Sequence, residues 1–100
     1  AEILETPKPK ILKLADGNEY KLPIINLTTL ANMEKTMGFG LAKLQGKMIE
    51  ETAGTMRLVI YALLKETNPD ISLERVGELV TFDVMKDVAQ VLTQILAISI

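Results

Sequence analysis

Apolar and polar residues alternate near the start of the chain and then settle into helical spacing almost to its end. Leu12 and Leu14 flank Lys13, and Tyr20 and Leu22 alternate with Glu19 and Lys21, the period of two shown by half-buried strands. Asp16-Gly17-Asn18 between them tolerates the positive φ of a tight turn. The segment therefore predicts a β-hairpin closed by Pro23. Two strands alone are marginal in water, so this hairpin must lie on an apolar surface. Ahead of it, Pro7 and Pro9 predict an extended, peripheral arm over residues 1–9.

Helical spacing begins at Leu27, Leu30, Met33 and Met37. Asn26 or Thr28 suits the N-cap and Gly38 the stop, which predicts a helix over Leu27–Met37. Over residues 39–51, Leu41, Leu44 and Met48 suggest a short helix, followed by a loop because Gly40 and Gly46 weaken it. Thr52 to Thr67 predicts the next helix. Met56, Leu58, Val59, Ile60, Leu63 and Leu64 surround its axis almost completely, as in a central, buried helix. Asn68-Pro69-Asp70 ends it, and Ser72 caps a helix over Leu73–Val80. Gly77 inside that helix costs about 1 kcal/mol against alanine, a cost that close approach to a neighbouring helix would offset. A final helix runs from Asp83, read as its cap, to near the C-terminus. The expected fold is mainly α: one domain of four to five helices with an N-terminal β-hairpin, over residues 10–100.

Composition narrows the chemistry. Apolar residues make up 48% of the chain but aromatics only 4%, so the core must consist of aliphatic side chains and Met. Met33, Met37, Met48, Met56 and Met85 read better as core filler than as an adaptable binding surface. Eleven basic and 13 acidic residues give a net charge of −2, without the basic stripe of a nucleic-acid binder. The chain has no Cys and no His, which removes thiolate and imidazole metal ligands and the commonest general base. No apolar run reaches the roughly 20 residues of a membrane span.

The remaining motifs favour structural roles. Gly38-Phe39-Gly40 and Gly46-Lys47 do not form a phosphate loop, because the spacing is wrong and Met48 follows the lysine. Glu50-Glu51 and the Asp83/Asp87 pair lie outside apolar runs, so they read as solvated carboxylates rather than an acid–base pair. No catalytic, cofactor-binding or metal-binding residue is expected. A small hydrolase lacks its nucleophile and base, and a helical transcription regulator lacks its basic recognition helix.

The final helix holds the one candidate binding surface. Val84, Met85, Val88, Ala89, Val91, Leu92, Ile95, Leu96 and Ile98 cover roughly 200° of its circumference, whereas a single core needs a stripe of about 100°. The excess implies a second cover, either the hairpin or another molecule. The favoured expectation is a contact with a second copy or a client helix through Val91, Ile95 and Ile98.

Three segments carry a family resemblance. They are Leu30-Ala31-Asn32-Met33-Glu34-Lys35-Thr36-Met37-Gly38, Arg57-Leu58-Val59-Ile60-Tyr61-Ala62-Leu63-Leu64, and Asn68-Pro69-Asp70-Ile71-Ser72-Leu73-Glu74-Arg75-Val76-Gly77-Glu78-Leu79. In order and spacing, residues 22–80 resemble the tail assembly chaperones of long-tailed bacteriophages. Asn68 and Arg75 depart from the family by replacing acids. The resemblance implies a non-enzymatic, homo-oligomeric protein without cofactor, acting in the cytoplasm of the infected bacterial host. Its partners would be the tape-measure protein and, through a frameshift-extended form, the tail tube subunit. It would be absent from the mature virion. The alternative is another small phage structural protein, for head–tail joining or tail completion, which would stay in the particle.

Overall fold

The computed structural model describes residues 11–98, the side chains of Leu96 and Ile98 excepted. The expected proline arm lies outside these residues. A two-stranded antiparallel sheet, β1 (Ile11–Lys13) and β2 (Glu19–Lys21), is followed by five α-helices. They are α1 (Leu27–Met37), α2 (Leu44–Glu50), α3 (Thr52–Lys65), α4 (Leu73–Leu79) and α5 (Phe82–Ile98). The chain is mainly helical with an N-terminal hairpin, as its periodicity predicts.

Leu12 pairs with Tyr20 across the hairpin. Leu12, Leu14 and Leu22 are buried, while Ile11, Lys13 and Lys21 face outward. Gly17 takes the positive φ of the turn, 81°. Three ties hold the hairpin to the helices. The Ala15 N–H donates to the Leu79 carbonyl at 3.0 Å. The Thr67 hydroxyl donates to the Lys21 carbonyl. Arg75 stands 3.9 Å from the Asp16 carboxylate.

α1 has the expected bounds. Asn26, rather than Thr28, caps it: its Oδ1 accepts the Thr29 N–H at 2.9 Å. Gly38 stops it at φ 87°. Leu30, Met33 and Met37 form its buried face, but Leu27 is 83% exposed.

Residues 39–51 differ from the expected short helix and loop. A 3₁₀ turn over Leu41–Lys43 comes first, α2 follows, and only Glu51 separates α2 from α3. The cause is side-chain hydrogen bonding between neighbouring elements. The Glu34 carboxylate accepts the Leu41 N–H at 2.8 Å and fixes the turn. Two hydroxyls from α3 then take up carbonyls at the end of α2: Thr52 donates to Met48 at 2.7 Å and Thr55 to Lys47 at 3.0 Å. These bonds satisfy carbonyls that a helix end otherwise leaves open, so the chain turns without a loop.

α3 is the central helix. It packs against α1, α2, α4 and α5. Val59, Ile60, Ala62, Leu63 and Leu64 on it are all buried. Ser72 caps α4 by accepting the Arg75 N–H at 3.1 Å. Asp83 lies in the first turn of α5 and not at its cap. A carboxylate there still complements the positive end of the helix dipole. The core runs from Leu12 to Ile95 and is aliphatic plus Met33 and Met37, with Tyr20, Phe39 and Tyr61 packed at its edge. Met48, Met56 and Met85 are only half-buried. No described helix is long and apolar enough to cross a membrane.

Candidate partner-binding surface

The surface expected on α5 is not where the sequence put it. Val91 is 8% exposed and Ile95 0%. A side chain already covered within one chain has no surface to offer a partner, so the expected contact through Val91 and Ile95 is corrected to core packing. The wide apolar arc has two neighbours in the same molecule: α5 packs against α3 and against β1. The Ile98 side chain lies outside the described residues.

The carboxylates set aside in the sequence are solvated. Glu50, Glu51, Asp83 and Asp87 are all exposed. Among the described residues no group of three or more acids is placed to hold a metal ion. The glycines near Lys47 have structural positions, Gly38 at the end of α1 and Gly46 inside α2. The Tyr20 hydroxyl donates to Asp16 at 2.6 Å, and this bond holds the Asp16 carboxyl below its ordinary range. The same bond raises Tyr20, because ionising the phenol would lose it. This cluster closes the turn and latches it to α4 through Arg75.

A concave surface forms where α3, α4 and α5 meet. α4 crosses α3 at Gly77, where a Cβ would stand only 2.9 Å from Arg57 Cδ. The α4 backbone thus lies against the Arg57 stem, the close approach that a glycine in this helix suggests. Ala53 and Gly54 leave the first turn of α3 nearly bare, and Met56, Val80 and Met85 supply apolar walls. The recess measures about 410 Å³. Arg57 is its one charged lining residue among those described. Arg57 and Gly54 also line a second recess of about 290 Å³, together with Glu51 and reaching toward Phe39, Lys47 and Leu73. Lys47 Nζ stands 5.7 Å from the centre of the Phe39 ring. Beside this surface in sequence, between Val80 and Met85, Phe82 is 93% exposed.

Sequence reasoning weighed parts of this surface separately. Gly77 signalled a close approach, and Met56 and Met85 were weighed as adaptable contacts. What joined them was the placement of Arg57, which no periodicity reports. Comparison with known proteins finds no family model, no curated protein and no solved structure that matches the chain.

Proposed function

We propose that this chain is a tail assembly chaperone of the long-tailed bacteriophage type. It binds the tape-measure protein in the cytoplasm of the infected host, acts before the tail tube polymerises, and leaves before the virion is mature. One observation carries the reading. Two of the resembling segments, Arg57–Leu64 and Asn68–Leu79, meet at Gly77 and Arg57 on the floor of an apolar, Met-walled recess.

The physical task fits such a surface. A long helical client exposes an apolar stripe that pairs with other copies of itself, and covering that stripe keeps it dispersed. The cover must also come off when tube subunits arrive. A shallow recess walled by flexible methionines meets both needs, since it can cover part of such a stripe without gripping it for long. A second copy of the chain would lengthen the covered stripe. A frameshift-extended form would bring the tail tube subunit to the same place.

Co-expression tests the reading. The tape-measure protein should stay in solution and co-purify with this chain, and should precipitate without it. Mass spectrometry of purified virions should find no copies of the chain. Its presence at a fixed stoichiometry would replace the proposal by a head–tail joining or tail-completion role.

A further inference from the structure

We infer that the recess between α3, α4 and α5 seats one amphipathic helix of the client, and that Arg57 selects this helix by pairing with a single aspartate or glutamate on its apolar side. The identity of the client rests on the chaperone reading; the chemistry of the seat does not.

Among the described residues Arg57 is the only charged one lining the recess, beside Met56, Val80, Met85 and small residues, and Glu51 lines the adjoining recess with it. Among the described residues it has no ion-pair partner, and the ion pairs formed there belong to Arg75. Its stem is held against the α4 backbone at Gly77. A guanidinium whose stem is already packed loses less freedom on pairing than a free one, and its fork matches a carboxylate.

The shape of the floor points to a helix. Ala53 and Gly54 present almost no side chain, so another backbone can come close there. Apolar anchors one helical turn apart would then meet Met56 on one wall and Met85 on the other. A helix without an acid would cover Arg57 and leave it unpaired, which costs more than the pair itself contributes. The seat therefore discriminates mainly by rejecting the wrong helix. Nucleic acid fits poorly: a phosphate backbone calls for several cations, and this recess offers one in a chain of net charge −2.

The test uses the full chain and three labelled helical peptides of about 20 residues, long enough to hold a helix. They share one leucine–alanine stripe and differ at a central position: Glu, Gln or Lys. A thymidine oligonucleotide of similar length is the fourth probe. Fluorescence anisotropy should find the Glu peptide bound about tenfold more tightly than the Gln peptide, and the Lys peptide weakest, as for a charge pair in a partly covered site. Arg57→Glu should reverse the order of the Glu and Lys peptides. Arg57→Gln should abolish discrimination while the Gln peptide still binds, and it decides the matter if Arg57→Glu does not fold by circular dichroism. Equal binding of the three peptides, binding of none, or binding of the oligonucleotide alone overturns the inference. So does a dimer that Arg57→Glu dissociates, since the recess would then belong to a second copy. A pull-down separates this from the wider reading. Tape-measure protein retained equally by wild type and Arg57→Glu sinks the seat and keeps the chaperone. Glu-peptide selectivity without tape-measure binding does the reverse.

Discussion

The two ends of α5 have similarly apolar sequences and opposite surroundings. Val88, Val91, Leu92 and Ile95 are buried, whereas Phe82 is 93% exposed and Val84 and Met85 are half-buried. The difference lies in what stands beside each end. α5 packs against α3 and the strand β1, and Val88, Val91, Leu92 and Ile95 of its wide arc are covered inside one molecule. At the helix start, Met85 walls an open recess and Phe82 has no cover among the described residues. A wide apolar arc therefore counts neighbours without saying whether they are in the same chain. The exposed remainder, not the arc, marks where a partner can act.

The largest expected effect tests the buried end. Ile95→Asp would place a charge at a position with 0% exposure, without a partner. The expected loss exceeds about 4 kcal/mol, the range of an unpaired buried charge plus lost packing, and is a large share of the stability of a domain this size. Ile95→Ala should cost about 2–5 kcal/mol by urea unfolding. A folded Ile95→Asp monomer that has lost only its client would break the comparison and return the contact to the C-terminal end.

Much of the scaffold was legible because its signals are local. Asn26 and Gly38 bound α1, Ser72 caps α4, and the all-round apolarity of Val59 to Leu64 marks α3 as central. What escaped depends on side-chain hydrogen bonds between elements, which periodicity does not report. α2 ends where it does because Thr52 and Thr55 donate back to it, and its preceding turn is set by Glu34 from α1. The candidate site escaped for the same reason. Periodicity identifies an apolar face but not its neighbour, so it could not choose between the hairpin and a second molecule. Nor could it bring Arg57 on α3 against Gly77 on α4.

Gly77→Ala gives a smaller effect at the open end. Alanine favours the helix by about 1 kcal/mol. Its Cβ would meet Arg57 Cδ at 2.9 Å, so the arginine stem must shift. Arg57 is exposed and has room to move, so the two terms should nearly cancel. Net stability should change by about 1 kcal/mol or less, well below the Ile95 variants. Selectivity for the Glu peptide should nonetheless fall, because the guanidinium has left its place. A loss of several kcal/mol would mean that the α3–α4 crossing is rigid core and not the floor of a seat.

The hairpin cover can be probed by pH. Asp16 is lowered from its ordinary value of 3.8 by the Tyr20 hydroxyl, so its contribution is full above that value and is lost as acid takes the pH through the lower, folded value. Tyr20 is raised from 10.0 by the same bond, so its contribution is full below that value and fades in stronger alkali. Asp16→Asn should flatten the acid limb of the stability curve and loosen the hairpin, read as faster amide exchange at Leu12 and Leu14. An unchanged acid limb would show that the latch does not hold the cover over α5.

Phe82→Ser should have the smallest effect on folding. The ring is 93% exposed, so its removal deletes almost no packing, and stability should stay within about 0.5 kcal/mol. Binding is a separate matter. Phe82 sits between Val80 and Met85 in sequence, and both wall the recess. A helix seated there would cover the ring, and an aromatic side chain at a rim contributes through the area it loses to the partner. The variant should therefore bind the Glu peptide several-fold more weakly while melting with wild type, the converse of Ile95→Asp, which should unfold. If Phe82→Ser lowers the melting temperature and leaves peptide binding intact, the ring serves the fold and the start of α5 is not the open end.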